Sequence, residues 1–304
     1  MREPQQPIGV VGLGVIGLGL ARNLLNAGYR VKGFDPNPAA MEAFKSAGGQ
    51  TCSDAAECAS MVSQFIVCVF DAPQAIGVLD EALSTLETST DIIVHTTMAP
   101  DEIQAVAERM AESGFAIIDA PVTGGKAGAD AGTLTIMLSG PAAALARAEP
   151  VFEHYSQMRV VLGEQPGAAT TVKMVNQLLN GVHMVVAAEA MSFAIRAGAD
   201  PQQTMEVITN GAANSRAFES RASMMVGRTF DDVRGALEIF TKDLGIVSKM
   251  AQEMDFDASL ARAALARFDA AAGDGFAKYD CSSVVTTYDK SHSDTVHSND
   301  RESK

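Results

Sequence analysis

Residues 8–35 constrain the fold more than any other segment of this 304-residue chain. The apolar strand Ile8–Val11 leads into the turn GLGVIG at residues 12–17, which opens an amphipathic helix. A second predicted strand, Val31–Phe34, ends in Asp35. In such a turn the first glycine permits the tight bend, the second lets a pyrophosphate approach the backbone, and the third lets the helix pack on the strand. The phosphates then meet the helix N-terminus. The pattern predicts a dinucleotide-binding strand–helix–strand unit.

Asp35 predicts which dinucleotide is bound. It follows Gly12 by 23 residues, the position at which a carboxylate accepts hydrogen bonds from the adenosine ribose and repels the additional phosphate of NADP. We therefore predict NAD as the cofactor. A surface aspartate that only starts the turn at residues 35–38 is the alternative, and both readings can hold together. The other predicted cofactor contacts in this unit are Gly12, Leu13, Gly14, Val15, Ile16 and Gly17.

Length and charge narrow the class of protein. A chain of 304 residues exceeds the usual single core, so two domains are expected. The formal net charge is −14 and no basic block is present, which argues against nucleic acid and membrane surfaces as partners. No apolar run approaches the roughly 20 residues of a membrane span, and the N-terminus lacks the features of a signal peptide. These patterns predict a cytoplasmic protein.

The cysteines predict free thiols and no metal site. Four cysteines are too few for a disulfide scaffold, and no two have the spacing of a metal-binding or redox pair.

Apolar runs alternate with helical patterns up to about residue 165. The runs lie at Phe65–Val69, Ile92–His95, Ala116–Asp119, Thr135–Leu138 and Val160–Leu162. Such alternation predicts a doubly wound, mostly parallel α/β sheet of the Rossmann type. Because ligands bind at the carboxyl ends of these strands, we expect chemistry just after them, at residues 70–73, 96–98 and 120–125, with Phe70 and Asp71 as cofactor contacts.

Beyond residue 165 the strand patterns stop and helical patterns follow. The first helix is long, from about Ala168 to Arg196, and the others are predicted near Pro201–Thr209, Ser215–Met225, Val233–Met254 and Ala258–Ala272. We predict an NAD-binding domain at residues 1–165 and an all-helical domain at 166–290, built on the long helix between the two domains. The polar residues 291–304 cannot build a core and are expected to be disordered.

The long helix carries an unusual polar face. Lys173, Gln177, Asn180 and Met184 share one side, and a valine-rich side opposite them is suited to burial (Val172, Val175, Val182 and Val186). Lys173 lies near the helix N-terminus, where the helix dipole disfavours a cation. Position alone leaves two interpretations open: an acid/base that exchanges a proton with a substrate hydroxyl, or a salt bridge between the domains.

Four motifs resemble landmarks of the 3-hydroxyisobutyrate dehydrogenase (β-hydroxyacid dehydrogenase) family. They are the glycine turn with Asp35, the run DAPVTGG at 119–125, Gly167 followed by TVKMVNQ at 171–177, and Lys242-Asp243-Leu244. They occur in the family's order within residues 8–290.

The resemblance implies roles for residues that match these motifs. Lys173 would be the catalytic acid/base, and Gln177, where most members have asparagine, would orient the substrate. The substrate carboxylate would bind to Thr123, Gly124 and Gly125, while Thr97 and Lys242 would contact the cofactor. The resemblance also implies homo-oligomers, dimers or tetramers, in which the helical domains pack on one another.

Within the family, residues 173–183, 188–191 and 209–221 resemble the L-threonate dehydrogenase branch. Gln177, Asn180, His183 and Asn214 could then bond hydroxyls of a four-carbon sugar acid, and such a pocket rejects ligands that lack them. We therefore expect NAD-dependent oxidation of a small hydroxy acid such as L-threonate. The alternatives are reduction of a short semialdehyde such as tartronate semialdehyde, oxidation of 3-hydroxyisobutyrate, and a non-catalytic dinucleotide-binding module.

Overall fold

The computed structural model describes residues 7–289, so the predicted disordered tail at 291–304 lies outside the described residues. The chain divides into two compact units, one up to Met174 and one from Val175 onward. The division falls inside the long helix.

The first unit alternates strands and helices. Its strands are β1 (Ile8–Val11), β2 (Val31–Phe34), β3 (Gln50–Thr51), β4 (Gln64–Val67), β5 (Asp91–Val94), β6 (Ile117–Asp119), β7 (Val122–Thr123), β8 (Leu134–Ser139) and β9 (Ser156–Gly163). Its helices are α1 (Val15–Asn26), α2 (Pro38–Ser46), α3 (Ala55–Ala59), α4 (Ala72–Ala82), α5 (Pro100–Glu112), α6 (Gly125–Ala131) and α7 (Ala142–Phe152), followed by the start of α8 (Ala168–Arg196).

The described strands form one sheet in the order β3-β2-β1-β4-β5-β6-β8-β7, with β9 paired to β8. Pairing is parallel from β3 to β6 and between β8 and β9, whereas β8 runs antiparallel to β6 and β7. The prediction of a mostly parallel, doubly wound sheet followed by a helical region is confirmed. The strand order reverses at β1 and β4, so the carboxyl end of β1 is the expected place for a ligand.

Apolar side chains cover both faces of this sheet. One buried cluster joins β1 to α1, α2, α6 and α7, with Leu20, Phe44 and Phe152 fully buried. A second cluster joins the other face to α3, α4 and α5, with Phe65 and Leu79 at its centre. The sheet is therefore a rigid frame from which the loops at the carboxyl ends of the strands project.

The second unit is helical. It contains the rest of α8, then α9 (Pro201–Thr209), α10 (Arg216–Gly227), α11 (Leu237–Glu253) and α12 (Ser259–Ala271), and two short helical segments at Ala272–Phe276 and Cys281–Tyr288. The helix predicted from Val233 begins at Leu237, because residues 228–236 form turns that pair with Asp280 through the backbone of Arg234 and Gly235.

The predicted burial of α8 is wrong for its valine-rich side. Lys173 and Gln177 are buried, at 6% and 5% exposed, whereas Val175 and Val186 are 58% and 57% exposed. Asn180 is half-buried. The polar side chains are buried because they have hydrogen-bond partners, and the next subsection gives those partners.

By length and composition alone, α8 could cross a membrane, which differs from the expectation that no apolar run is long enough. Of its most apolar window of 18 residues, 39% is buried in the structure. Lys173, Gln177 and Glu189 place charged and amide groups along it, and such groups are costly in hydrocarbon. The length and composition of α8 are therefore weak evidence for a membrane span.

Candidate active site

The glycine turn between β1 and α1 has the shape that a dinucleotide needs. Gly12 has φ +92°, and a Cβ on it would lie 2.3 Å from the carbonyl oxygen of Cys68. A Cβ on Gly17 would lie 1.8 Å from the carbonyl oxygen of Gly12, whereas a Cβ on Gly14 would meet nothing within 4 Å. Helix α1 begins after Gly14 with no side-chain cap. The open space at Gly14 and the uncapped backbone N–H groups fit a pyrophosphate.

Asp35 is held against this turn. One carboxylate oxygen accepts a hydrogen bond from the backbone N–H of Leu13 at 2.7 Å, and the other accepts from the backbone N–H of Asn37 at 2.8 Å. The side chain is half-buried and lies after the last residue of β2. A carboxylate in this place fits the ribose hydroxyls of a dinucleotide whose phosphates lie at Gly14.

The other predicted cofactor residues lie beside the same edge of the sheet. Phe70 follows β4 and is exposed, and Thr97 follows β5 and is half-buried. Asp71 caps α4, since its carboxylate accepts from the backbone N–H of Gln74 at 3.0 Å. Val15 and Ile16 form the first turn of α1.

Lys173 and the 122–125 turn lie together although 51 residues separate them. The ammonium Nζ of Lys173 donates a hydrogen bond to the carbonyl oxygen of Val122 at 2.8 Å. The next residue, Thr123, is half-buried, and Gly124 and Gly125 have φ of +129° and +58° with their backbone exposed. Only glycine adopts both conformations easily, and it leaves the backbone N–H groups open to an anion. The structure therefore places an amine beside a potential carboxylate-binding turn.

A buried carboxylate joins the start of α8 to the end of β6. Asp119 is 1% exposed, and its Oδ2 accepts from the backbone N–H of Gly167 at 2.8 Å, the backbone N–H of Thr170 at 3.0 Å and Ser139 Oγ at 3.0 Å. Its Oδ1 accepts from Thr170 Oγ1 at 2.7 Å. Burial raises the pKa of Asp119, and these four hydrogen bonds oppose that shift.

His95 links the segment after β5 to the one after β6. Its Nδ1 lies 2.5 Å from the carbonyl oxygen of Ala120, and its Nε2 lies 3.1 Å from the hydroxyl of Tyr155. The carbonyl can only accept, so Nδ1 carries the proton and Nε2 accepts from Tyr155. Burial lowers the pKa of His95 to about 4. A neutral His95 therefore ties the end of β5 to Ala120, which precedes the 122–125 turn.

The helical unit has its own buried polar group. Gln177 donates from Nε2 to Asp243 Oδ2, and its Oε1 accepts from Asn176 Nδ2 at 2.9 Å. Lys242 Nζ forms an ion pair with Asp243 Oδ1 at 2.8 Å. Asp243 is 2% exposed. This carboxylate therefore fixes the amide of Gln177 and the amine of Lys242 together.

Asn214 lies in the turn before α10, with Oδ1 buried and without a protein hydrogen-bond partner. Such an acceptor is costly unless something donates to it. Across residues 7–289 the four cysteines are free, and no group of three His, Cys, Asp or Glu side chains is placed to hold a metal ion.

Comparisons with known proteins agree with this geometry. Residues 7–163 match the NAD-binding domain of 6-phosphogluconate dehydrogenase, and residues 167–288 match the NAD-binding domain of NADP-dependent 3-hydroxyisobutyrate dehydrogenase. The chain belongs to the 3-hydroxyisobutyrate dehydrogenase family. It is an oxidoreductase of the hydroxy acid class with an NAD-binding domain.

Individual relatives span nearly the whole chain. An L-threonate dehydrogenase from Cupriavidus necator is 38% identical, covering 92% of this chain and 95% of its own. A 3-hydroxyisobutyrate dehydrogenase from Pseudomonas aeruginosa is 32% identical, covering 86% and 89%. The crystal structure of a 3-hydroxyisobutyrate dehydrogenase from Salmonella typhimurium is 35% identical, with a TM-score of 0.87 over 92% of this chain and 99% of that one.

Three residues with clear roles were absent from the predicted site. Asp119 and Asp243 lie inside two of the four motifs that resemble the family, so their place in those motifs was a usable signal. His95 ended a predicted strand, and a histidine there gives no comparable signal.

Proposed function

We propose that this protein oxidises the hydroxyl of a small polar hydroxy acid, L-threonate or a related four-carbon sugar acid, with NAD. The hydrogen bond from Lys173 to the carbonyl of Val122 carries this proposal, because it brings the amine beside the 122–125 turn. A substrate whose carboxylate binds that turn would present its hydroxyl to the amine.

In the proposed reaction, the nicotinamide supplies the hydride acceptor. Neutral Lys173 accepts the proton of the substrate hydroxyl at Nζ while the carbon loses its hydride, so the alcohol becomes a carbonyl. Thr123 would donate its hydroxyl, and Gly124 and Gly125 their backbone N–H groups, to the carboxylate. Lys173 is 6% exposed, and an amine held beside the turn suits proton exchange with a substrate hydroxyl.

The helical unit carries polar side chains of the kind that bond the hydroxyls of a sugar acid. Gln177 donates one amide N–H to Asp243, and its amide has a second N–H to donate; the buried oxygen of Asn214 is an acceptor for a hydroxyl. We propose that these two and Asn180 bind substrate hydroxyls, and that Lys242 contacts the cofactor.

The preference for NAD rests on Asp35. Its carboxylate accepts backbone hydrogen bonds at both oxygens and lies beside the glycine turn, where the 2′-phosphate of NADP would meet a negative charge. The proposed domain boundary near residue 165 is supported by the two family matches, which end at 163 and begin at 167.

One assay tests substrate and cofactor together. NADH or NADPH formation is followed at 340 nm with L-threonate, D-threonate, D-erythronate, D-glycerate and 3-hydroxyisobutyrate. We expect the highest kcat/KM for L-threonate with NAD, and at least about 10-fold lower kcat/KM for 3-hydroxyisobutyrate, because unpaired polar groups cost about 1–3 kcal/mol each. A preference for 3-hydroxyisobutyrate or for NADP would contradict the corresponding assignment.

A second candidate uses the same residues in reverse. With Lys173 as the proton donor, the site would reduce a short semialdehyde such as tartronate semialdehyde. Faster NADH oxidation with that semialdehyde than NADH formation with any hydroxy acid would favour it.

We also propose a homo-oligomer in the cytoplasm, with no nucleic acid or membrane partner. In the helical unit, Val175, Leu179, Val186 and Phe193 leave a continuous apolar side of α8 exposed, at 50–73%. Surfaces of this kind mark protein contacts. Light scattering is expected to give at least twice the chain mass of 31.8 kDa, and a monomer would overturn the assignment.

A further inference from the structure

The carboxylate of Asp119 joins the end of β6 to the start of α8, the two segments that carry the 122–125 turn and Lys173. Three residues after Asp119, the carbonyl of Val122 accepts from Lys173 Nζ, and three residues before Lys173, Thr170 donates to Asp119 from both its backbone and its hydroxyl. The contact between Lys173 and Val122 therefore has both of its ends tied to one buried carboxylate.

This carboxylate also completes the N-terminus of α8. The first backbone N–H groups of a helix have no partner inside it. Asp119 accepts from those of Gly167 and Thr170, and Ser139 Oγ accepts from that of Ala169 at 3.0 Å. Asp119 and Ser139 come from β6 and β8, so side chains of the sheet cap α8, in addition to the backbone N–H of Ala168, which donates to the carbonyl of Gln165 at 3.4 Å. Loss of the Asp119 carboxylate would remove its four hydrogen bonds and leave the first turn of α8 free to shift relative to β6.

We propose that Asp119 is a positioning residue that holds Lys173 beside the 122–125 turn. The proposal rests on the proposed function of Lys173 as acid/base. It differs from a purely structural cap in one measurable way. A structural cap changes how many molecules are folded, whereas a positioning residue changes the turnover of each folded molecule.

The first measurement is kcat per NADH-binding site, with sites counted by fluorescence titration so that unfolded protein does not contribute. Asp119→Ala leaves four donors without their acceptor, and we expect kcat per site to fall about 100-fold, since a displacement of about 1 Å can cost that much. Asp119→Asn keeps the size and one acceptor oxygen, and a fall of about 10-fold is expected. The substrate KM and the NADH Kd should stay within about threefold. Ser139→Ala is the matched control, because it loosens the same cap but keeps the carboxylate, and its kcat should stay within about threefold.

The second measurement shows whether Asp119 affects turnover through Lys173 or independently of it. In Lys173→Ala, an external amine such as propylamine is expected to restore part of the turnover, and this amine is not attached to α8. Adding Asp119→Asn should then leave the amine-dependent rate unchanged.

Two results would overturn the proposal. One is wild-type kcat per site in Asp119→Asn. The other is that Asp119→Asn lowers the amine-dependent rate of Lys173→Ala by the same factor as it lowers kcat of the enzyme that keeps Lys173. If Asp119→Ala does not fold, Asp119→Asn decides by the same criteria. Full turnover in Lys173→Ala would instead contradict the proposed function, so the two failures are distinguishable.

Discussion

Replacement of Lys173 by alanine is expected to lower kcat by about 10³-fold, because a positioned general acid or base contributes about 10²–10⁴-fold. NADH binding should stay within about twofold, since the glycine turn and Asp35 do not depend on this side chain. The folded state loses the hydrogen bond to Val122, a cost of about 1 kcal/mol. Steady-state NADH formation and NADH fluorescence titration measure the two effects separately.

A second lysine provides the control for this variant. Lys249 on α11 has a 63% exposed side chain and pairs with Glu253 one turn later. Lys249→Ala removes the same charge from the chain and should leave kcat and NADH affinity unchanged. If Lys173→Ala keeps kcat within about tenfold of wild type, or loses NADH binding in step with turnover, Lys173 is not the acid/base.

The sheet could be predicted because its strands carry strong local patterns. The central strands β1, β4 and β5 each contain an apolar run of at least two residues that precedes a turn, and the glycine turn indicated the first crossover. The two-residue strands β3 and β7 have no periodic pattern and were not predicted. The edge strand β9 begins at Ser156, four residues earlier than expected, because Gln157 and Met158 are exposed and give no apolar run.

The burial of α8 could not be predicted from its own residues. Amphipathic reasoning assumes that polar side chains face water, but a buried polar side chain is stable when it has a hydrogen-bond partner. The partners of Lys173 and Gln177 are Val122 and Asp243, which lie 51 and 66 residues away in the chain. Helix periodicity contains no information on contacts at that separation. For the same reason the motifs indicated where Asp119 lies but not that it caps a helix.

The glycines of the dinucleotide turn should respond to alanine in different ways. At Gly17 a Cβ would overlap the carbonyl oxygen of Gly12, a backbone atom that cannot rotate away. We expect Gly17→Ala to destabilise the protein by at least about 3 kcal/mol, or about 6–12 °C in Tm, and to weaken NADH binding more than about 100-fold. At Gly14 a Cβ meets no protein atom, and φ is −67°, which alanine adopts freely. Gly14→Ala should therefore keep the Tm of the apoprotein within about 2 °C.

The same Gly14→Ala variant should nevertheless weaken NADH binding by about 10–100-fold, because its methyl group takes the space through which the pyrophosphate approaches the backbone. Differential scanning fluorimetry without ligand, followed by calorimetric titration with NADH, separates the two effects. Gly77→Ala is the control: Gly77 lies within α4, a Cβ there meets nothing within 4 Å, and NADH affinity should be unchanged. Only a bound ligand can collide with a methyl group added at Gly14, since no protein atom lies within 4 Å of a Cβ there. Wild-type NADH affinity in Gly14→Ala would therefore mean that the pyrophosphate does not lie at this turn.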